Sequence, residues 1–429
     1  MKKNHGIVAL ALLSAGTLAL AGCQQGSASG GGDGDDSDGG VVTLQFQSLS
    51  DQPGAQAAVS EAVDAWNADH PDVQVEILQA GWDGAYDKLV TQFTGGTAPD
   101  IIHFDAASIV PFATDGYLAD LSEGLSEGVL ADVPDGVWDS VTVNDQIIAY
   151  PSTMQSYMVF ANADLLEQAG VEVPSGDSMT WDELREIARA TTTADVHGLG
   201  WGLGSPAATV MTLAPGFGGE FFSGSGEDVQ IEVGAAELEV PERIHQMAYE
   251  DGSLDPVSLT QSGSDVLASF YGGTVAMTVQ GSYQAANMVT DAPAELNWVV
   301  LPPLAGTDGA QQAANPQTYS VNIDSEHVDD AIAFVNSFAS GETIAAIAQA
   351  DALIPASSEA RDIVATETGG EDGWDQILAS ADGFVGAPFL HADGYAVWKD
   401  TVLNPALQQY LGDQITSEQL AQQLTEGWG

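Results

Sequence analysis

From residue 41 onward the chain alternates short apolar runs with longer stretches in which apolar residues recur every three or four positions. Val41-Val42-Thr43-Leu44-Gln45-Phe46 reads as a buried strand. Gln56 to Asn67 sets Val59, Val63 and Trp66 on one face of a helix, which His70-Pro71-Asp72 ends. Val73 to Leu78 alternates apolar and polar as a second strand. Tyr86 to Phe93 is helical again, followed by Gly95-Gly96 and a short strand at Ile101-Ile102. Further on, Thr180-Trp181-Asp182-Glu183 has capping-box spacing ahead of a helix that runs to Thr191. Val328, Ile332, Val335 and Phe338 mark another amphipathic helix, and Thr416 to Gln419 cap a last one ending near Gly427. Strands alternating with helices predict an α/β fold on a parallel sheet. The Gly-rich segment 198–226 is expected to form loops and short strands lining a site.

The first 40 residues follow none of these periods. Lys2 and Lys3 precede an apolar run, Ile7 to Leu20. At about 14 residues it falls short of the ~20 needed to span a bilayer, so residues 1–22 are expected to be a signal peptide. Residues 24–40 contain one apolar side chain, Ala28, and are expected to be a flexible acidic tether. Asp33, Asp35, Asp36 and Asp38 lack the Gly and distal Glu of a calcium-binding loop, which favours the tether. Cys23 is the only cysteine of the chain, so it has neither a disulfide partner nor a companion for a metal site. Leu20-Ala21-Gly22-Cys23 resembles the lipobox of lipoproteins, which implies lipidation at Cys23 and a tether over 23–40. The alternative is an ordinary signal peptide that contains a cysteine.

Composition narrows the partners. A body of about 390 residues suggests two domains. Acidic residues number 62 and basic ones 8, two of which lie in the expected signal peptide. That excess opposes compaction unless salt screens it, so adaptation to high salt is expected. With no basic patch to neutralise phosphates, nucleic acid is excluded as a partner.

Several stretches, in order along the chain, resemble the extracellular solute-binding proteins of sugar ABC transporters, the family of the maltose-binding protein. They are Asn67-Ala68-Asp69-His70-Pro71-Asp72-Val73, Gly95-Gly96-Thr97-Ala98-Pro99-Asp100-Ile101, Ala149-Tyr150-Pro151 and Phe160-Ala161-Asn162-Ala163-Asp164-Leu165-Leu166. Thr180-Trp181-Asp182-Glu183-Leu184, Phe270 to Met277 with Gly281-Ser282-Tyr283, Leu301-Pro302-Pro303-Leu304 and Leu353-Ile354-Pro355-Ala356 continue the match. The resemblance implies a two-lobed α/β clamp of the type II periplasmic-binding-protein kind, each lobe a sheet flanked by helices, with hinge crossovers between lobes. Lobe one would take 41–152 and 302–340, and lobe two 153–301 and 341–429. It also implies a lipid-anchored monomer on the outer face of the cytoplasmic membrane, without cofactor or metal. Such a protein hands a carbohydrate to permease subunits that a cytoplasmic ATPase drives.

Sugar recognition needs flat apolar faces for ring C–H groups and planar polar groups for hydroxyls. Ligands of open α/β sheets bind beyond the carboxyl ends of strands. Candidates after the first three strands are Gln47, Ser48 and Ser50, then Trp82 and Asp83, then Asp105. Asp105 could equally cap a helix, and Trp82 could be a surface residue. By the resemblance Gln155 matches a polar residue after the "YP" strand, and Tyr283 stands where relatives commonly carry a stacking Trp. Trp201, Phe217 and Phe221 in the Gly-rich region either line the cleft or fill lobe two. Asn315, Gln317 and Tyr319 are expected just before a strand at 320–323. Tyr395 and Trp398 are as compatible with core as with a site.

Two rival functions compete with this reading. A glycoside hydrolase needs two suitably spaced carboxylates, and 62 acidic residues make chance pairs unavoidable. No glycosidase or HExxH motif is present, and the histidines are scattered without ligand spacing. A cation such as a polyamine, held by carboxylates and aromatic walls, is the closer rival. No catalytic residue is assigned.

Overall fold

The computed structural model describes residues 41–224 and 228–429. Cys23, the expected signal peptide and the tether lie outside them.

The first strands and helices follow the periodicity closely. β1 (Val42–Ser48), α1 (Pro53–Asp69), β2 (Val73–Gln79), α2 (Ala85–Thr94), β3 (Ile101–Asp105) and α3 (Ala106–Thr114) form a βαβαβα run. α1 buries Val59, Val63 and Trp66, the residues of its predicted face. Later elements are β4 (Tyr150–Met154), β5 (Tyr157–Asn162), α4 (Trp181–Thr191), β6 (His197–Trp201), β7 (Val275–Gly281), α5 (Gln284–Asp291) and β8 (Trp298–Val300). They are followed by β9 (Gln317–Val321), α6 (Val328–Phe338), α7 (Gly341–Asp351) and β10 (Ile354–Pro355). The capping boxes at Thr180 and Thr416 are formed, each threonine hydroxyl accepting the N–H three residues on.

Two sheets organise the chain. The first runs β10-β4-β9-β3-β1-β2 and the second β8-β5-β7-β6. β1 pairs parallel with β2 and β3, whereas β9 runs antiparallel to β3 and β4. In the second sheet β7 is parallel to β6 and antiparallel to β5. Two separate sheets of mixed direction give the two-lobed α/β layout that was expected. Around the first sheet Phe46 lies 5.7 Å from each of the rings of Tyr319, Phe334 and Phe338. In the second lobe Trp181 stacks on Trp201 at 6.1 Å.

Three differences from the expected layout have physical reasons. Segment 341–355 was expected in lobe two, but α7 packs along α1 and β10 pairs with β4 in the first sheet. Ile344, Ala345, Ile347 and Ala348 give α7 an apolar face that α1 covers. The chain therefore crosses between sheets at 155–156, at 301–316 and again beyond Pro355. Second, the Gly-rich region contains a helix, Ala207–Leu213, whose Val210, Met211 and Leu213 are buried. A short helix apolar all round shows no amphipathic period. Third, β9 starts at Gln317, three residues before the expected strand. Among the described residues no single helix is long and apolar enough to cross a membrane.

Candidate functional site

The loops after β1, β2 and β4, the carboxyl half of β3, the start of β9 and the loop after β7 converge on a cavity of ≈ 230 Å³. Trp82, Tyr283 and Tyr319 give it aromatic walls, while Ser50, Gln155, Asn287 and Gln317 bring hydroxyl and amide groups. The end of α7 closes one side with Ile347, Ala350 and Asp351. A larger groove of ≈ 1090 Å³ runs between α3 and segments 215–224 and 385–393. The smaller cavity is the better candidate, because aromatic faces and planar polar groups meet there at strand carboxyl ends.

Its geometry follows from strand register. Tyr319 of β9 faces His103 of β3, and their rings stack with centroids 4.9 Å apart. Two residues earlier on the same face, Gln317 reaches the same imidazole. The Leu49 N–H donates to His103 Nδ1 at 3.1 Å, so Nδ1 is the acceptor and Nε2 carries the proton. Nε2–H then donates to Gln317 Oε1 at 3.1 Å. That fixes the amide orientation and leaves the Gln317 NH2 for a ligand. Burial pulls the His103 pKa down to about 4, so the ring is neutral around pH 7.

The loop after β1 is held by its backbone. Gln79 Nε2 donates to the Ser50 carbonyl at 2.7 Å, and Gln56 Nε2 donates to it at 3.1 Å. Ser50 is 4 % exposed and its Oγ has no protein partner. In the same cavity Asp351 Oδ1 is likewise buried without a partner. Burial and the neighbouring Asp51 push the Asp351 carboxyl up to about 7.

The second lobe contributes Tyr283, 39 % exposed, where β7 gives way to α5. Gly281 makes room for it: a Cβ there would stand 2.5 Å from Tyr283 Cε1 and 3.2 Å from Gln155 Oε1. The missing side chain lets the phenol ring lie back across the strand end beside Gln155.

Comparison with known proteins fits this architecture. Residues 49–345 match the model of the bacterial extracellular solute-binding protein family. An uncharacterized lipoprotein encoded in the oleD 5′ region of Streptomyces antibioticus is 36 % identical over 406 residues, covering 94 % of this chain and 87 % of the relative. The chain belongs to the bacterial extracellular solute-binding protein family. Among solved structures, the cyclic alpha-maltosyl-1,6-maltose binding protein of Arthrobacter globiformis superposes with a TM-score of 0.77 at 18 % identity, covering 90 % of this chain and 98 % of that one. The GacH receptor of Streptomyces glaucescens, solved unliganded and with acarbose, gives 0.72 at 21 % identity, over 90 % of this chain and 97 % of that one.

Of the residues singled out from the sequence of this solute-binding protein, Ser50, Trp82, Gln155, Tyr283, Gln317 and Tyr319 line the cavity. The other candidates sit elsewhere. Gln47 and Ser48 are buried at the end of β1, Ser48 Oγ accepting the Ser50 N–H at 3.3 Å. Asp83 is exposed beside the cavity rather than lining it. Asp105 caps α3, accepting from the Ser108 N–H at 3.1 Å and from its hydroxyl at 2.7 Å. Burial raises the Asp105 pKa against those two bonds. Asn315 Oδ1 accepts the Ala107 N–H at 3.0 Å and serves the same helix start. Trp201 is core, 1 % exposed, and Phe217 and Phe221 are buried with it in lobe two. Tyr395 packs on Phe389 at 4.9 Å and on Phe222 at 6.0 Å. The sequence reading passed over His103, Asp51, Asn287 and Asp351. Only His103 carried a local signal, a polar residue inside the apolar run Ile101-Ile102-His103-Phe104.

Proposed function

We propose that this solute-binding protein captures a carbohydrate outside the cell and delivers it to the permease of an ABC importer. The observation that carries this reading is the cavity itself. Trp82 and Tyr283 offer faces for sugar rings, buried Tyr319 backs the wall, and Gln155, Asn287 and Gln317 offer amides for hydroxyls. The ligands named for the Arthrobacter protein and for the GacH receptor support the same class. Lobe one is assigned 41–154 and 317–355 and lobe two 157–300 with the C-terminal segment, hinged at the three crossings. Residues of both lobes touch one ligand, so it binds the closed arrangement better and shifts the population toward it. The closed form is what docks on the permease. The protein does no chemistry on its ligand. Cys23 anchors it to the membrane through the 23–40 tether, as the lipoprotein name of the Streptomyces relative supports.

The test is a thermal-shift screen of residues 41–429 in molar salt against mono- and oligosaccharides, amino acids, short peptides and polyamines. A ligand bound only by the folded state adds ~2.7 kcal/mol at a hundredfold excess over its dissociation constant. A shift confined to sugars is expected. A shift confined to peptides or amino acids would overturn the carbohydrate reading.

A further inference from the structure

We infer that the cavity recognises a sugar carrying a protonated amine, the ammonium group lying between Asp51 and Asp351 beside the Ser50 hydroxyl. The inference rests on the carbohydrate reading above and names the chemistry of the ligand within it.

The argument starts from charge. Asp51 and Asp351 line one cavity wall together, and among the described residues lining that cavity there is no lysine or arginine. The only imidazole present, His103, is held neutral by burial and already uses both ring nitrogens. The cavity thus has two carboxyl groups and no internal cation to balance them. Burial first, and then the charge of the exposed neighbour Asp51, raise the Asp351 carboxyl toward neutrality. A cationic ligand group relieves both the repulsion and the desolvation.

The second argument is hydrogen-bonding capacity. Ser50 is nine-tenths buried, lines the cavity and has an Oγ without partner; Asp351 Oδ1 is also unpartnered. Buried polar atoms are normally satisfied, and unsatisfied ones mark positions where a ligand completes the set. An ammonium has three donors and no acceptor. Two carboxylates and a hydroxyl oxygen provide three acceptors, which matches it. A neutral hydroxyl has one donor and would leave the carboxylates short. The aromatic walls and the Gln317 and Asn287 amides remain for the rest of the sugar, which argues against a sugarless polyamine. Asp351 belongs to lobe one and Tyr283 to lobe two, so a ligand pinned at its amine and stacked at its ring bridges both.

The experiment compares matched sugars by calorimetry and thermal shift on residues 41–429. Glucosamine with glucose, galactosamine with galactose, and chitobiose with N,N′-diacetylchitobiose and cellobiose differ only in amine, acetamide or hydroxyl at C2 of each ring; spermidine is the sugarless amine. The amine-bearing member is expected to bind roughly tenfold or more tightly than its hydroxyl counterpart, as a charge-assisted bond gives. That preference should collapse in Asp351→Asn and in Asp51→Asn. Should either variant fail to fold, salt titration of the native protein replaces it: affinity for the amine falls with salt and that for the hydroxyl sugar does not. Hydroxyl sugars that bind as well as or better than their amines overturn this inference and leave the carbohydrate reading standing. Silence across the panel with a cooperative melt overturns this inference and leaves the carbohydrate reading to the broader screen; a response to spermidine alone overturns both.

Discussion

Replacing Gly281 by alanine should weaken ligand binding without unfolding the protein, and the size of the effect can be worked out. The new methyl would stand 2.5 Å from Tyr283 Cε1 and 2.8 Å from Cδ1, whereas ordinary contact begins near 3.4 Å. The ring must therefore swing by about 1 Å. It can, because Tyr283 is 39 % exposed and accepts no tertiary constraint on its outer face. Little folding energy is at stake, so the melting temperature should move by less than the roughly 2–4 °C that 1 kcal/mol produces in a domain this large. Binding is different, since a displaced ring no longer meets the sugar face. Removing the ring altogether in Tyr283→Ala should cost ~1–2 kcal/mol, or roughly 5–30-fold in dissociation constant. Gly281→Ala should lose a part of that, about 1 kcal/mol. The decisive assay is the double-mutant cycle, with affinities measured by calorimetry for the sugar that the screen identifies. If the methyl acts only through the ring, Gly281→Ala on the Tyr283→Ala background has no further effect. Additive losses, or a melting temperature that collapses in Gly281→Ala alone, would refute the reasoning.

Other expectations concern stability and location. Trp201→Ala should cost ~3–5 kcal/mol in chemical denaturation while sparing the affinity per folded molecule, because Trp201 is core of lobe two. His103 has a folded-state pKa near 4 against an ordinary 6.5, so the unfolded chain binds the extra proton between those values. Its contribution to stability is complete above pH 6.5 and is lost as pH falls toward 4; His103→Gln should flatten that limb of the stability profile. Asp351 has the opposite sign: with its pKa raised from 3.8 to about 7, ionisation destabilises the fold progressively from pH 4 to 7. Asp351→Asn should therefore be more stable than the native protein at pH 8, by up to about 2 kcal/mol, and the gap should close near pH 4. The 62 acidic residues predict a melting temperature that climbs with salt through the molar range, and a flat response would remove the case for salt adaptation. Cys23→Ser should move the protein from the membrane fraction to the medium, judged by fractionation of expressing cells.

The periodic parts of the fold were readable because each exposes one face. α1, α4 and α6 show their buried stripes as plain spacing, and Thr180 and Thr416 announce helix starts that form as written. The helix Ala207–Leu213 was missed because it is buried nearly all round. The site was legible where a residue follows directly on a strand, as Ser50, Trp82 and Tyr283 do. Asp105 at the end of β3 and Asn315 just before β9 have the same polar chemistry, but the start of α3 takes up their oxygens. A sequence cannot say whether a backbone amide or a ligand reaches a carboxylate first. Asp51 and Asp351 lie 300 residues apart, and only the packing of α7 on α1 brings them to one wall. That same packing moved the lobe boundary.

The three crossings are stitched to one another. Gln312, in the second, donates from Nε2 to the Tyr157 carbonyl at 3.1 Å and accepts the Tyr157 N–H through Oε1 at 2.8 Å. Ser380, beyond the third, donates to Ser156 Oγ at 2.9 Å. Separate ribbons would let the lobes twist, slide and flex independently; ribbons laced together leave them essentially one axis of rotation. Such a joint turns a small chemical event at Gln155, which sits on the first ribbon, into a large and reproducible change in outline. Under the proposed function, a transporter at the membrane would have only two silhouettes to tell apart, full and empty, and need never inspect the cargo itself.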